Sequence, residues 1–338
     1  MIYDGSNTDN IVERQKARVK AAAGRVFERS EFLALSTVQA YLEVLRQGEL
    51  ARLSRDNVTA HQSTLNDVLS RVRGGSSSSA DLSQAENRLT VAQSDYVEAQ
   101  RRVEDANSTY QRLVRLAPTG LVRPATPSDV LPQSEDDAVR RALKANPSVN
   151  VADLDREAAV ADSRAAEASF LPRLDFEIVG SKGNNVGGID GQNDDLTIML
   201  VARWNLFSGG SDSARVAASR ERIMEAQERT NRFKLVSEEE VRKSWTAMVR
   251  QREQTAKLAE RVRASENVYT AYRQQFDIGR RDILDVLNAQ NDLYNARSAS
   301  LTADYSAQFA AYRILAVCGD LLNAMKIAAP KEADGTLR

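Results

Sequence analysis

The chain has 338 residues, 46 of them basic and 47 acidic, for a net charge of −1, and only 6% are aromatic. Interleaved, balanced charge excludes a nucleic-acid footprint, and a chain so rich in Ala, Arg, Glu, Leu and Ser favours long helices over a compact aromatic core. The single cysteine, Cys318, excludes an intramolecular disulfide, no apolar run approaches the roughly 20 residues of a membrane-spanning helix, and no Walker, Rossmann, G-x-S-x-G or zinc pattern gives an enzyme residues to rest on.

The chain opens with MIYDGS, which carries no basic-then-apolar export signal, and then runs without proline from Ser6 to Arg73. Val12, Val19, Val26 and Leu33 fall seven apart, as do Val58, Leu65 and Val72. That spacing predicts helices packed as a left-handed coiled coil, weakened only by Gly24 and Gly48. At about 1.5 Å per residue the segment makes a rod of roughly 100 Å. His61 lies in it with no other metal-ligand residue at a useful spacing, and is expected on the surface. The segment RVRGGSSSSADL then predicts a turn, with Asp81 as the N-cap of a second helix, so Ser6–Leu116 reads as an antiparallel hairpin. The competing reading of GGSSSS is a flexible linker.

Prolines in APTGLVRPATPSDVLP stop any helix after Leu116. Helical periodicity resumes with Ser134 as N-cap and is expected to continue to Pro172. There the period changes to two. Leu174, Phe176 and Ile178 alternate with Arg173, Asp175 and Glu177, and Leu196, Ile198, Leu200, Ala202, Trp204 and Leu206 share a face in a second segment. Segments of about ten residues, greasy on one face and charged on the other, suit an outer-membrane strand; the alternative is a soluble hairpin over a small core. Between them, SKGNNVGGIDGQNDD lacks the regular ligand spacing of a calcium loop and reads as a solvated loop.

From Trp204 the sequence WNLFSGGSDSAR returns to the phrase of the N-terminus. At an offset of 204, Gly5 falls on Gly209, Arg18 on Arg222, Tyr41 on Trp245, Gly75 on Gly279, Asp81 on Asp285 and Leu89 on Leu293. An internal duplication follows, and with it a second hairpin, Ser211–Leu321, turning at QFDIGRRDILDV. Cys318, in RILAVCGDLL, reads as a small buried hydrophobe.

The order ANPSVNVADLDREAAVADSRAAEASFLPRLDF, strand, loop, WNLFSGG, long helix, FDIGRRDILDVLNAQNDLYNA and LAVCGDLL resembles the TolC-like outer-membrane efflux protein family, over Tyr3 to about Leu322. The resemblance implies a mainly α fold with a small β part: two long antiparallel helical hairpins forming a coiled-coil tunnel, plus strands of a trimeric outer-membrane β-barrel. Residues 1–5 would end a barrel strand, 6–117 form the first hairpin with its tip near 73–80, and 118–170 a linker, equatorial region and helix leading to the barrel. Residues 171–208 would be a barrel hairpin with external loop 183–194, 209–322 the second helical hairpin with its tip near 277–282, and 323–338 a tail. It also implies that a signal peptide, a helix and a strand precede Met1. The implied protein is no enzyme and needs no metal or cofactor. It is a homotrimer in the outer membrane of a Gram-negative bacterium, surrounded by outer-membrane lipid and reaching into the periplasm. Its partners are a periplasmic adaptor and an inner-membrane transporter.

The family's tunnel closes at its periplasmic tip. Carried over by motif, Asp285 and Asn288 fall at two ring positions after Gly279, Arg281 at a salt-bridging position, and Asp81 at the equivalent place in the first copy. Arg73, Gly74, Gly75, Ile278, Gly279 and Arg280 would be tips that meet the adaptor, and Phe170, Trp204 and Phe207 an interfacial aromatic belt. Asn288 stands where well-known members carry an acid, so cation binding at the constriction should be weaker. Rival readings are a periplasmic adaptor, which has one hairpin rather than two, and a coiled-coil scaffold, which needs no alternating strands. Within the channel reading the phrase GRRDILDVLNAQ leans toward protein secretion over drug efflux.

Overall fold

A computed structural model describes residues 1–335; residues 336–338, the end of the expected tail, lie outside the described part. Four helices dominate: α1 (Asn7–Arg73), α2 (Ser79–Val114), α5 (Ser211–Asp277) and α6 (Ile283–Cys318). Between them come α3 (Glu135–Ala145), α4 (Pro147–Glu167) and the strands β1 (Arg173–Asn184) and β2 (Gln192–Arg203); a one-turn α7 (Leu321–Ala324) follows α6. The uninterrupted helix expected from Ser6 to Arg73 is present as 67 residues of α1. The bounds of α5 and α6 fall 204 residues after those of α1 and α2, and the lengths repeat at 67 and 36 residues. Both hairpins end earlier than expected, at Val114 and Cys318, where Arg115 and Gly319 turn left-handed and their amides satisfy the last carbonyls.

The chain divides into two compact units. The first holds Met1–Arg29, Leu143–Glu238 and the tail from Ala329. Here α4 lies on the start of α1, joined by Arg25–Asp155 at 2.6 Å and by the pairs Arg14–Asp162 and Glu28–Ser148. The buried residues at the start of α1 are Ala17, Ala21 and Ala23, with Gly24 half-buried beside them, not the expected Val12, Val19, Val26 and Leu33, of which Val12 and Leu33 are exposed. Small residues at these steps let the helices approach closely: a Cβ on Gly24 would stand 2.7 Å from Val151 Cγ2. Gly48 meets nothing within 4 Å. Gly24→Leu should therefore cost about 1–3 kcal/mol by overpacking, while Gly48→Ala should gain about 0.5–1 kcal/mol from helix propensity alone. Thermal melting of the two variants should move in opposite directions.

A continuous helix from Ser134 to Pro172 is not what forms. Pro147 has no amide to give and disfavours helical backbone at Asn146, so α3 stops at Ala145 and Asn146 starts α4 anew, its side chain accepting from the amides of Ser148 and Val149 at 3.0 and 3.3 Å. β1 and β2 pair antiparallel from Arg173↔Arg203 to Asn184↔Gln192, which leaves a turn shorter than the expected 183–194 loop. β2 ends at Arg203, so Trp204 and Leu206 lie beyond the strand whose face they were expected to extend. Register places Phe176 opposite Leu200 and Ile178 opposite Ile198. These residues and Leu196 are 49–69% exposed. On the other face Arg203 holds Asp175 and Glu177, each at 2.9 Å. Among the described residues the sheet has two strands, and Tyr3 bridges the outer edge of β1 at Leu174.

The second unit holds Ser30–Ala142 and Glu239–Ala328. Its larger core joins Val38 and Leu42 of α1, Ala138 and Val139 of α3, Val241 and Met248 of α5, and Ile314, Leu315 and Cys318 of α6. Cys318 is buried as expected, and burial pushes its thiol up to about 12, which leaves it an inert hydrophobe. The proline-rich strap after α2 is tied down on α1 and α6. Tyr41 Oη both accepts from the Val122 amide and donates to its carbonyl, Arg123 pairs with Asp304 at 2.8 Å, and Tyr312 donates to the Ala125 carbonyl at 3.1 Å.

Candidate functional site

The two helical turns that the sequence singles out lie in the second unit, and both are built by the same backbone device. At the end of α1 the Gly75 amide donates to the Val72 carbonyl and the Ser76 amide to that of Arg71; at the end of α5 Gly279 donates to Phe276 and Arg280 to Gln275. Such a closure needs a left-handed residue, and Gly75 and Gly279 supply it with φ of 72° and 73°. Arg73, Gly74, Gly75, Ile278, Gly279 and Arg280 are all exposed at these turns.

Asp81 does not cap α2. Ser78 does, accepting from the Asp81 amide at 3.2 Å, while the Asp81 carboxylate accepts from the Ser78 amide and the Ser77 hydroxyl, each at 2.8 Å. The cap lies three residues before the expected one, because an aspartate three positions into a helix completes a reciprocal capping box with the true cap. These hydrogen bonds, that of the Ser78 amide first, hold the Asp81 carboxyl below the usual range. In the second turn Asp282 is the N-cap, donated to by the Leu284 amide at 3.0 Å. Ser78→Ala should cost about 1 kcal/mol, read as a lower melting temperature.

Asp285 occupies the place of Asp81 in α6, with a different partner. Where Ser77 meets Asp81, Arg281 meets Asp285 at 2.7 Å. The same guanidinium donates to Gln275 Oε1 at 2.7 Å and stacks 3.8 Å above the Tyr272 ring. Asn288, one turn further, accepts from Arg88 of α2 at 2.9 Å. So Arg281 and Asp285 neutralise one another, whereas Asp81 keeps a charge stabilised only by dipoles.

Arg71, Arg88 and Arg273, to which the sequence does not point, complete the cluster. Arg71 donates to the Asp277 carbonyl at 3.1 Å and lies 4.1 Å over the Phe276 ring, joining one tip to the other. Arg273 of α5 pairs with Asp67 of α1. Behind them Leu65, Val68, Ala85, Leu89, Phe276, Ile283, Val286 and Leu287 form a separate apolar core. Arg71 and Arg88 are ordinary surface arginines by heptad position, so nothing in the sequence marked them. His61 departs from expectation: it is buried, next to this core.

Phe170, Trp204 and Phe207, in the other unit, are exposed beside the strand ends, and Trp204 Nε1 donates to the Phe170 carbonyl at 3.0 Å. Among the described residues no group of His, Cys, Asp and Glu could hold a metal ion, and no helix is long and apolar enough to cross a membrane.

Paired long helices with a short ribbon whose apolar face is bare define the class of outer-membrane channel proteins, and comparison with known proteins agrees. The model of the outer membrane efflux protein family matches residues 138–320, and the chain belongs to that family. It is similar to the outer membrane efflux protein BepC of Brucella suis, at 25% identity over 320 residues that cover 94% of this chain and 70% of BepC. Among solved structures, the outer membrane protein VceC of Vibrio cholerae superposes with a TM-score of 0.78 at 17% identity, over 96% of this chain and 77% of that one. The CmeC outer membrane channel of Campylobacter jejuni gives 0.77 at 16%, over 98% and 72%. At these identities the two structures speak for the fold alone.

Proposed function

We propose that the chain is the subunit of a homotrimeric outer-membrane channel, in which β1 and β2 join further strands in one closed barrel and the long helices of three copies line a periplasmic tunnel. The observation that carries this reading is the ribbon. A two-stranded sheet with one apolar face open to its surroundings, and a second that mixes Val179, Met199 and Val201 with the ion pairs of Arg203, is unstable in water by itself. It is well suited to a barrel with lipid outside and water inside. The matched bounds of α1 with α5 and α2 with α6 support an origin by duplication, so that one protomer supplies two similar staves.

In this reading the tips form the gate. Three copies of Asp81, Arg281, Asp285 and Asn288 would surround the tunnel axis, and the exposed turns at Gly75 and Gly279 would receive the periplasmic adaptor, which brings the inner-membrane transporter. The channel is passive, and the transporter supplies the energy for export of small molecules or proteins.

The protein should be recovered from the outer-membrane fraction and should have the mass of three chains by light scattering in detergent. A monomer in the soluble fraction would overturn the proposal.

A further inference from the structure

His61 is the only histidine of the sequence and is 3% exposed. It belongs to a buried line on α1, Gln47, Ser54, His61 and Val68, at steps of seven. One turn on, Thr64 donates to Gln290 Oε1 of α6 at 3.3 Å. His61 Nδ1 and Gln290 Nε2 are both buried and make no hydrogen bond. Among the described residues no acid acts on the ring, whose surroundings are burial and the cation of Arg88. α2 brings Arg88, itself committed to Asn288; α5 brings Arg273, already paired with Asp67 of α1; α6 brings the amides Asn288 and Gln290 and, nearer the tip, Asp285, held by Arg281. A cation placed here would be desolvated and would face another cation, the arrangement that costs most in a protein interior.

We propose that His61 is an acid-sensitive latch behind the tips: neutral, it lets α1, α2 and α6 close on one another, and protonated, it drives them apart. The first bond to yield is Arg88–Asn288, because its guanidinium is the cation that acts on the ring. The nearby core of Leu65, Val68, Leu89, Val286 and Leu287 loosens with it.

The sign follows from the ring's surroundings. Burial first, and Arg88 second, lower the His61 pKa from 6.5 to about 4. The loosened state takes up a proton more readily than the closed one, so the closed state keeps its full margin above about pH 6.5. It loses that margin as pH falls, and loses no more below about 4. Two and a half pH units correspond to at most about a 300-fold shift in the ratio of closed to loosened tips.

A single histidine makes the test direct. The complete protein, labelled with ¹³C at histidine and held in detergent, gives one imidazole resonance to follow between pH 3.5 and 8. Its midpoint should lie well below 6.5 and should rise in Arg88→Gln, where the neighbouring cation is gone. Amide exchange at residues 61–68 and 286–290, corrected for intrinsic rates, should quicken tens of fold from pH 7 to 4.5 in the wild type and stay level in His61→Gln. A midpoint at 6.5 or above, or the same acid loosening in His61→Gln, overturns the latch; the wild-type midpoint decides by itself if that variant does not fold. The consequence for transport rests on the gate reading above. Acid-quickened exchange without any rise in conductance would keep the latch and overturn the gate instead.

Discussion

Ile198→Arg should abolish insertion of the protein into the outer membrane. Ile198 stands at the centre of β2, opposite Ile178, on the face that carries Phe176, Leu196 and Leu200 and is open to its surroundings. In a barrel that face meets hydrocarbon, and an arginine near the bilayer midplane costs about 2–4 kcal/mol. A trimer carries the substitution three times, so the cost is comparable to the whole stability of an ordinary domain, about 5–15 kcal/mol. Thr197→Lys, one residue away on the ribbon's other face, should assemble normally because in the proposed barrel that face looks into water. Membrane fractionation and the recovery of trimer in detergent read both variants; equal behaviour would mean that the ribbon does not face lipid.

The second large effect belongs to the tips. Arg281 is shared among Asp285, Gln275 and the Tyr272 ring. Arg281→Ser removes the clamp between α5 and α6 and, in the proposed trimer, frees the Asp285 charge in each of three copies. Resting conductance in planar bilayers should rise severalfold, and block by multivalent cations should strengthen. Asn288→Asp should strengthen block too, by adding three negative charges, and should also turn the Arg88 contact into an ion pair. Asp285→Ala should weaken block by removing one acid from the second turn, where Asp277 and Asp282 also lie. All three effects should be largest at low salt, since at 0.15 M charges are screened over about 8 Å. Conductance and block unchanged by all three would place these residues off the conduction path.

Much of this architecture is legible in the sequence because its determinants are local and periodic. The absence of proline gives α1 its length, Gly75 and Gly279 give the turns, and alternation gives the two strands and their greasy face. The misreadings have specific causes. A coiled-coil seam alternates steps of three and four, so the line Val58, Leu65, Val72 implies a companion three residues on: His61, Val68. Val68 is apolar, but His61 and Ser54 are polar, and the companion line was therefore invisible to a count of hydrophobes. Near the N-terminus the reverse holds. The valine line is conspicuous, yet α4 packs on Ala17, Ala21 and Gly24, because close approach selects small side chains that a search for bulk passes over. Asp81 was misplaced as a cap because the Ser76–Ser79 run offers several competing hydroxyls, and only the turn geometry selects Ser78. The arginines that bind Asp277 and Asn288 carry no local signature; their partners are some 200 residues away.

Helix length itself is a constraint of an unusual kind here. α1 and α5 each count 67 residues, and α2 and α6 each count 36, with Arg71 reaching Asp277 where the first pair and the second pair turn. Removing one heptad from α5 and α6 alone would preserve every seam within that pair, yet would draw its turn back by about 10 Å and strand Arg71 beside nothing. The four helices thus behave as gauges cut to a common mark. In this chain, the match of lengths is kept only when a heptad is removed from both pairs together, so the span of these helices changes in steps of seven residues if both turns are to stay level.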